Sequence, residues 1–431
     1  MNVLLGNVFV ISLLFTCVLV SYSPGNRFTS TPSPVVTLQP SQSPASPVVQ
    51  FTPTVSAATL EVQKLKDIVF SPCLAVSPEP PGGNQIPWLL LVQRAAVYAI
   101  DPNTGERTDE LIPSPENTNP FAYDFSLSPD GKWLAYDLSG ENDEVVVEPS
   151  SNLLTKSSQG RIVWQPENVF QLQGWLSNES VVLTMYRSPD EFASTLVHNP
   201  FKEEEHEFFL EELPDYLDHQ LGGLQGSMLF AHSNLMPDPT LKRVVYQTKN
   251  DYLMAALWDV ENKKVVTSLR LFYDWAYFND PLWSLDGSDF LIMGIDEKEH
   301  EEWFQVTREG DTKQFTHFGE FLKDAGFGIS SRSPNGRYLA FRLWKEQSIP
   351  QDSKYLILDL KSQSLDGFCI DTGGKSHPEK PFAWSPDGRH LAITNGTIGE
   401  RTAEVILVEL ETRKAFQIGK DVEAIGWMVK P

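Results

Sequence analysis

An all-β fold, one ring of seven four-stranded blades, is what the repeats of this chain predict. SLSPDGKWLAY stands at Ser126 to Tyr136, SRSPNGRYLAF at Ser331 to Phe341 and FAWSPDGRHLAIT at Phe382 to Thr394. Weaker copies stand at Gly174 to Thr184, Met236 to Tyr246 and Leu282 to Ile292. The proline column falls at positions 129, 177, about 239, 285, 334 and 386, a period near 50 residues. Alternating apolar residues flank each turn, and a second alternating pair follows, as in Lys354 to Leu360 and Glu404 to Leu410. Four antiparallel strands at that period describe the blade of a β-propeller.

The phrase has a local mechanical cause. Proline presets φ near −65° at the first corner of the turn, Asp or Asn bonds back to the turn backbone, and Gly supplies φ > 0 before the second strand. Asp130, Asp286 and Asp387 are therefore read as turn residues. Trp175, Trp283, Trp384 and Trp427 share one column and are expected to pack between blades.

Six hairpins are marked, and the chain ends supply the seventh blade. Ala424 to Val429 reads as an inner strand without its turn, with Trp427 matching Trp384. Trp88 to Val92, Ala96 to Ile100 and Thr108 to Ile112 read as the other three strands of that blade. The strand 424–429 would thus close the ring over 58–431 and leave no open sheet edge.

Upstream, Val3 to Val20 is almost wholly apolar, on the border between a signal peptide and a membrane-spanning helix. Leu14-Phe15-Thr16-Cys17 resembles a lipobox, which would make Cys17 a lipidated residue. Residues 1–22 are expected to be a signal peptide, a lipoprotein signal or a membrane anchor. Ser23 to Ala57 has seven Pro, seven Ser and five Thr but no carboxylate, so residues 23–57 are expected to be a disordered, semi-rigid spacer. Such a spacer holds a body away from a surface, and the propeller is expected on the extracytoplasmic side.

Charge narrows the partners. All 57 acids and 33 of the 34 bases lie beyond Arg27, so that body carries 57 − 33, or 24, net negative charges. Such a surface repels phosphate backbones, which argues against nucleic acid. Two acidic stretches fall on middle-strand loops that a propeller places on one face: Asp137, Glu141, Asp143 and Glu144, and Asp296, Glu297, Glu299, Glu301 and Glu302. They are candidates for a basic partner or Ca²⁺, and no other cofactor is expected. Tyr273 and Trp275, on an inter-blade connection of that face, are candidate aromatic contacts for a ligand. Cys73 and Cys369 are the only thiols beyond residue 57, and in an exported body their pairing is chemically natural.

The phrases Trp384-Ser385-Pro386-Asp387-Gly388, Ser128-Pro129-Asp130-Gly131, Ser333-Pro334-Asn335-Gly336 and Trp283-Ser284-Leu285-Asp286-Gly287 resemble the TolB-type, WD-like propeller repeat of bacterial envelope proteins. That resemblance covers most of 58–431 and implies the fold alone, because the repeat serves receptors, scaffolds and peptidase gating domains alike. Neither a G-x-S-x-G elbow nor an H-E-x-x-H pair occurs, so no catalytic residue is assigned. The expected function is a membrane-tethered module binding a protein or small ligand. The alternatives are a propeller enzyme of lyase, lactonase or glycosidase type with a channel site, or a scaffold subunit of an envelope complex.

Overall fold

The computed structural model describes residues 57–429 apart from 82–85, 94–95, 113–124, 139–143, 167–168, 189–190, 217–234, 250–252, 272–280, 323–324, 346–352, 362–364, 379 and 398–400. The apolar stretch 3–20, Cys17 and the spacer 23–56 lie outside the described residues, as do Glu141, Asp143, Tyr273 and Trp275. Among the described residues no helix is long and apolar enough to cross a membrane.

Strands form seven antiparallel sheets, one per blade, and each apolar face is buried against the neighbouring blade. Blade 2 shows the pattern: Phe125–Leu127 is innermost, followed outward by Trp133–Leu138, Glu144–Pro149 and Ile162–Trp164. Blades 3 to 7 repeat it, starting from inner strands Val169–Trp175, Leu235–Pro237, Leu282–Trp283, Ala325–Arg332 and Phe382–Trp384.

Blade 1 joins the two ends of the propeller. Glu423–Met428 pairs with Trp88–Gln93, placing Leu89 opposite Trp427, and Trp88–Gln93 pairs in turn with Ala96–Ile100. The expected fourth strand at Thr108 to Ile112 is reduced to bridges, Ile100 to Arg107 and Val97 to Ile112. The chain end therefore supplies the innermost strand of the first blade, with Trp427 and Met428 fully buried.

Each Ser-Pro-Asp-Gly turn is held as its chemistry requires. Ser128 Oγ donates to Asp130 Oδ1 (2.7 Å), and the same oxygen accepts the N–H of Lys132 (3.2 Å). Ser385 with Asp387 and Ser333 with Asn335 repeat the bond. The Ser284 hydroxyl and the N–H of Ser288 hold the carboxyl of Asp286 down at about 2. Gly131, Gly287, Gly336 and Gly388 take φ of 72°, 67°, 69° and 64°, and each donates its N–H to the Ser carbonyl three residues back.

The tryptophan column fastens four of the blades, each to the one before it. Trp175 Nε1 donates to Ser126 O (3.0 Å), Trp283 to Met236 O (3.2 Å), Trp384 to Ser331 Oγ (2.9 Å) and Trp427 to Ala383 O (2.8 Å). Their rings bury apolar area while the indole N–H finds an acceptor, which is what a half-polar aromatic needs in a core.

The chain ahead of blade 1 is not built from blade strands. Residues Ala57–Phe70 form a helix, and Val76–Ser77 adds a parallel strand outside Lys414–Lys420 of blade 7. Leu65, Ile68 and Val69 recur on one helical face and pack with Phe318 of blade 5 and Leu358 of blade 6. Lys354 Nζ caps the helix end at Val69 O (2.7 Å), and Cys73 is disulfide-bonded to Cys369 with their Cα atoms 4.6 Å apart. This segment is a strap around the outside of blades 5, 6 and 7.

Candidate functional site

Second strands leave each Ser-Pro-Asp-Gly turn and end at the loops to the third strands, so those loops share the opposite face of the ring. The loop after Asp289–Ile295 in blade 5 is a closed turn. Asp296 Oδ1 accepts the N–H groups of Lys298 (2.8 Å) and His300 (2.9 Å), and Asp296 Oδ2 lies 3.3 Å from His300 Nδ1. Glu299 sits at φ 65° and forms a two-pronged pair with Arg270, at 2.8 and 2.7 Å. Lys298 pairs with Glu320, while Glu297 remains exposed.

Glu301 and Glu302 do not belong to that loop. The strand Glu301–Thr307 starts with them, and its alternation turns Glu302 inward, where it is 1% exposed. Its Oε2 accepts from Thr316 Oγ1 (2.8 Å) and the N–H of Phe318 (2.9 Å), and its Oε1 from the N–H of Gly319 (2.8 Å). The carboxylate thereby holds the short turn Phe318–Glu320 against the blade. Glu301 is half-buried, as are Asp137 at the end of Trp133–Leu138 and Glu144 at the start of Glu144–Pro149 in blade 2.

Of the nine acids proposed for this face, Glu297 projects freely, Asp296 shapes its own loop, Glu299 is paired and Glu302 is a buried latch. The latch was not visible in the sequence, because its donors arrive from a turn 14 to 17 residues downstream. Asp296, His300 and Glu302 do come together, with one ligand atom from each within 4.8 Å of the others. Ligands of a tetrahedral ion at about 2.0–2.2 Å stand roughly 3.3 Å apart, so an ion would have to draw this group inward. An imidazole with two carboxylates suits a transition metal better than Ca²⁺, which prefers six to eight oxygens.

Burial lifts the Glu302 carboxyl above its ordinary 4.5, although three hydrogen bonds oppose the shift. The folded chain then holds that proton more tightly than the unfolded chain, so stability from this group falls as pH rises from about 4.5 to the raised value. Glu302→Gln is expected to flatten that slope. It should also lower stability by about 1–3 kcal/mol at neutral pH, because an amide cannot accept on both sides. Thermal unfolding of both proteins between pH 4 and pH 8 would show an unchanged slope if Glu302 were not the titrating group.

On the other face, the turns Ser177 to Ser180, Asn199 to Glu204 and Pro239 to Leu241 enclose a cleft of about 400 Å³. Lys202 and Glu179 pair across it at 2.8 Å.

No protein-family model matches this chain, and no curated protein matches its sequence. Solved structures do. TolB from Acinetobacter baumannii is 9% identical with a TM-score of 0.40, covering 79% of this chain and 83% of its own. An oligogalacturonate lyase in complex with manganese is 9% identical with a TM-score of 0.47, covering 79% and 86%. The acylaminoacyl peptidase of Pyrococcus horikoshii is 14% identical with a TM-score of 0.45, covering 75% of this chain and 48% of its own. The chain's own seven sheets establish the fold.

Proposed function

We propose that this chain is a membrane-tethered, extracytoplasmic propeller that binds a basic protein segment or a cationic small ligand on the face bearing the middle-strand loops. The Cys73–Cys369 bond carries the reading, since such a bond persists in oxidising compartments outside the cytoplasm. It also holds the amino-terminal strap against the outer strand Asp366–Asp371, at the side of the ring. The net charge of 24 negatives beyond Arg27 favours a positive partner, and the exposed Glu297 with Asp137, Glu141, Asp143 and Glu144 would focus it. A divalent cation at Asp296, His300 and Glu302 belongs to the same proposal.

Co-purification from native membranes tests it. The protein should stay with the membrane fraction and bring a stoichiometric basic partner. That partner should be lost, more so at higher salt, when Glu141, Asp143, Glu144 and Glu297 are changed to Gln or Asn. A soluble majority would overturn the tether. Turnover of a small substrate by the partner-free protein would make it a propeller enzyme instead.

A further inference from the structure

Blade 5 brings three metal-ligating side chains together from a loop and from the strand after it. Asp296 and His300 come from the closed turn after Asp289–Ile295, and Glu302 from the inward face of Glu301–Thr307. Asp296 Oδ2 stands 3.3 Å from His300 Nδ1, which is roughly the spacing of two ligands on one tetrahedral ion with bonds of about 2.0–2.2 Å. One ligand atom from each of the three residues lies within 4.8 Å of the others. Three atoms so placed are no more than about 2.8 Å from a common centre, so each needs to move inward by at most roughly 0.8 Å to reach bonding distance.

A residue that is not a ligand sets this geometry. Gly319 donates its N–H to Glu302 Oε1 (2.8 Å), and a Cβ on Gly319 would stand 2.1 Å from Cγ of the His300 ring. The turn Phe318–Glu320 therefore lies directly on the imidazole while it grips the carboxylate. A side chain at position 319 would push the two apart. The donors to Glu302 are all neutral: the Thr316 hydroxyl and the N–H groups of Phe318 and Gly319. They orient the carboxylate as the outer partners of a metal ligand do, without cancelling its charge. His300 and Asp296 are only partly covered, so the common centre lies between the buried carboxylate and the loop face.

We propose that Asp296, His300 and Glu302 bind one transition-metal ion, Zn²⁺ in preference to Ca²⁺, and that Gly319 is the positioning residue of that site. The site rests on the reading of this face as cation-binding and gives the cation a chemical class. Ca²⁺ takes six to eight oxygen ligands, and an imidazole is not one of them. Zn²⁺ accepts nitrogen and oxygen together and takes four ligands, so three from the protein leave one position toward the loop face for water or a donor atom of a partner. The ion would join the loop 296–300 to the turn Phe318–Glu320, whose Phe318 packs with Leu65 and Val69 of the strap.

The test uses the full chain, freed of metal with a chelator, and titrates Zn²⁺ against Ca²⁺. Zn²⁺ should bind one per chain by calorimetry and raise Tm by about 3 °C at about a hundred times Kd, while Ca²⁺ at the same concentration does neither. Co²⁺ in place of Zn²⁺ should give visible d–d absorption. His300→Ala changes a partly exposed side chain, so it should keep the metal-free Tm within about 1 °C and weaken Zn²⁺ at least about tenfold. Gly319→Ala keeps all three ligands but displaces the imidazole, and should both weaken Zn²⁺ about tenfold and alter the Co²⁺ spectrum. No zinc binding, an equal response to Ca²⁺, or undiminished zinc binding in either variant would each overturn the proposal. Co-purification from native membranes reads the basic partner alone. Zinc binding without such a partner would remove the proposed function and leave this site standing, and a basic partner without zinc binding would do the reverse.

Discussion

Removing residues 424–431 is expected to unfold the entire ring rather than fray one end of it. That segment supplies the innermost strand of blade 1 and pairs along Trp88–Gln93. Trp427 fills the space shared with Leu89, Leu91, Val405 and Leu407, and Met428 packs with Leu90, Val97 and Leu134. Truncating one large buried side chain costs about 3–5 kcal/mol, and here two are lost with a ladder of hydrogen bonds. The sum is on the order of 10 kcal/mol, comparable with the total stability of about 5–15 kcal/mol that a domain possesses. The truncated protein should show no cooperative thermal transition by near-ultraviolet circular dichroism. Trp427→Ala alone should lower stability by about 3–5 kcal/mol. An unchanged midpoint in the truncated protein would mean that blade 1 does not need this strand.

The second large effect is expected at the turn glycines. Gly131 has φ 72°, and a Cβ there would stand 2.4 Å from Trp427 O, a backbone atom that cannot turn aside. Gly388 has φ 64°, and its Cβ would meet the Asn335 side chain of blade 6 at 2.2 Å. Gly388→Val should therefore cost about 1–3 kcal/mol from backbone strain. Gly131→Val should cost more, because it also pushes the closing strand away. Lys132→Ala and Arg389→Ala, which change exposed side chains next door, should stay within about 0.5 kcal/mol. Chemical denaturation of the four variants ranks them, and equal stabilities would show that the φ > 0 positions carry no load.

These two results concern features that local chemistry made legible. A turn of Ser, Pro, Asp and Gly writes its own geometry into four consecutive residues, and three good copies were enough to find the rest. Trp427 and Trp384 occupy one column of the repeat, so the closure is legible in the sequence itself. The strap was not legible in this way. Ala57–Phe70 follows a proline-rich stretch directly, and Leu65, Ile68 and Val69 acquire their meaning from Phe318 and Leu358, far along the chain. Glu302 misled for the same reason, since a run of acids reads as solvated surface until Thr316, Phe318 and Gly319 come round to meet it.

The strap has a mechanical meaning as well. Tension entering at the amino terminus meets the covalent bond at Cys73 and passes to Cys369 in the outer strand of blade 6. The hydrogen-bonded seam between Trp88–Gln93 and Glu423–Met428 lies outside that direct path. The bond spans a sequence separation of 296 residues, so in the oxidised chain roughly 1,000 Å of contour length is withheld from any pull on the two ends. Only the chain before Cys73 and after Cys369 can be drawn out straight. Reduction restores the hidden length, and the same chain can then be drawn out nearly whole.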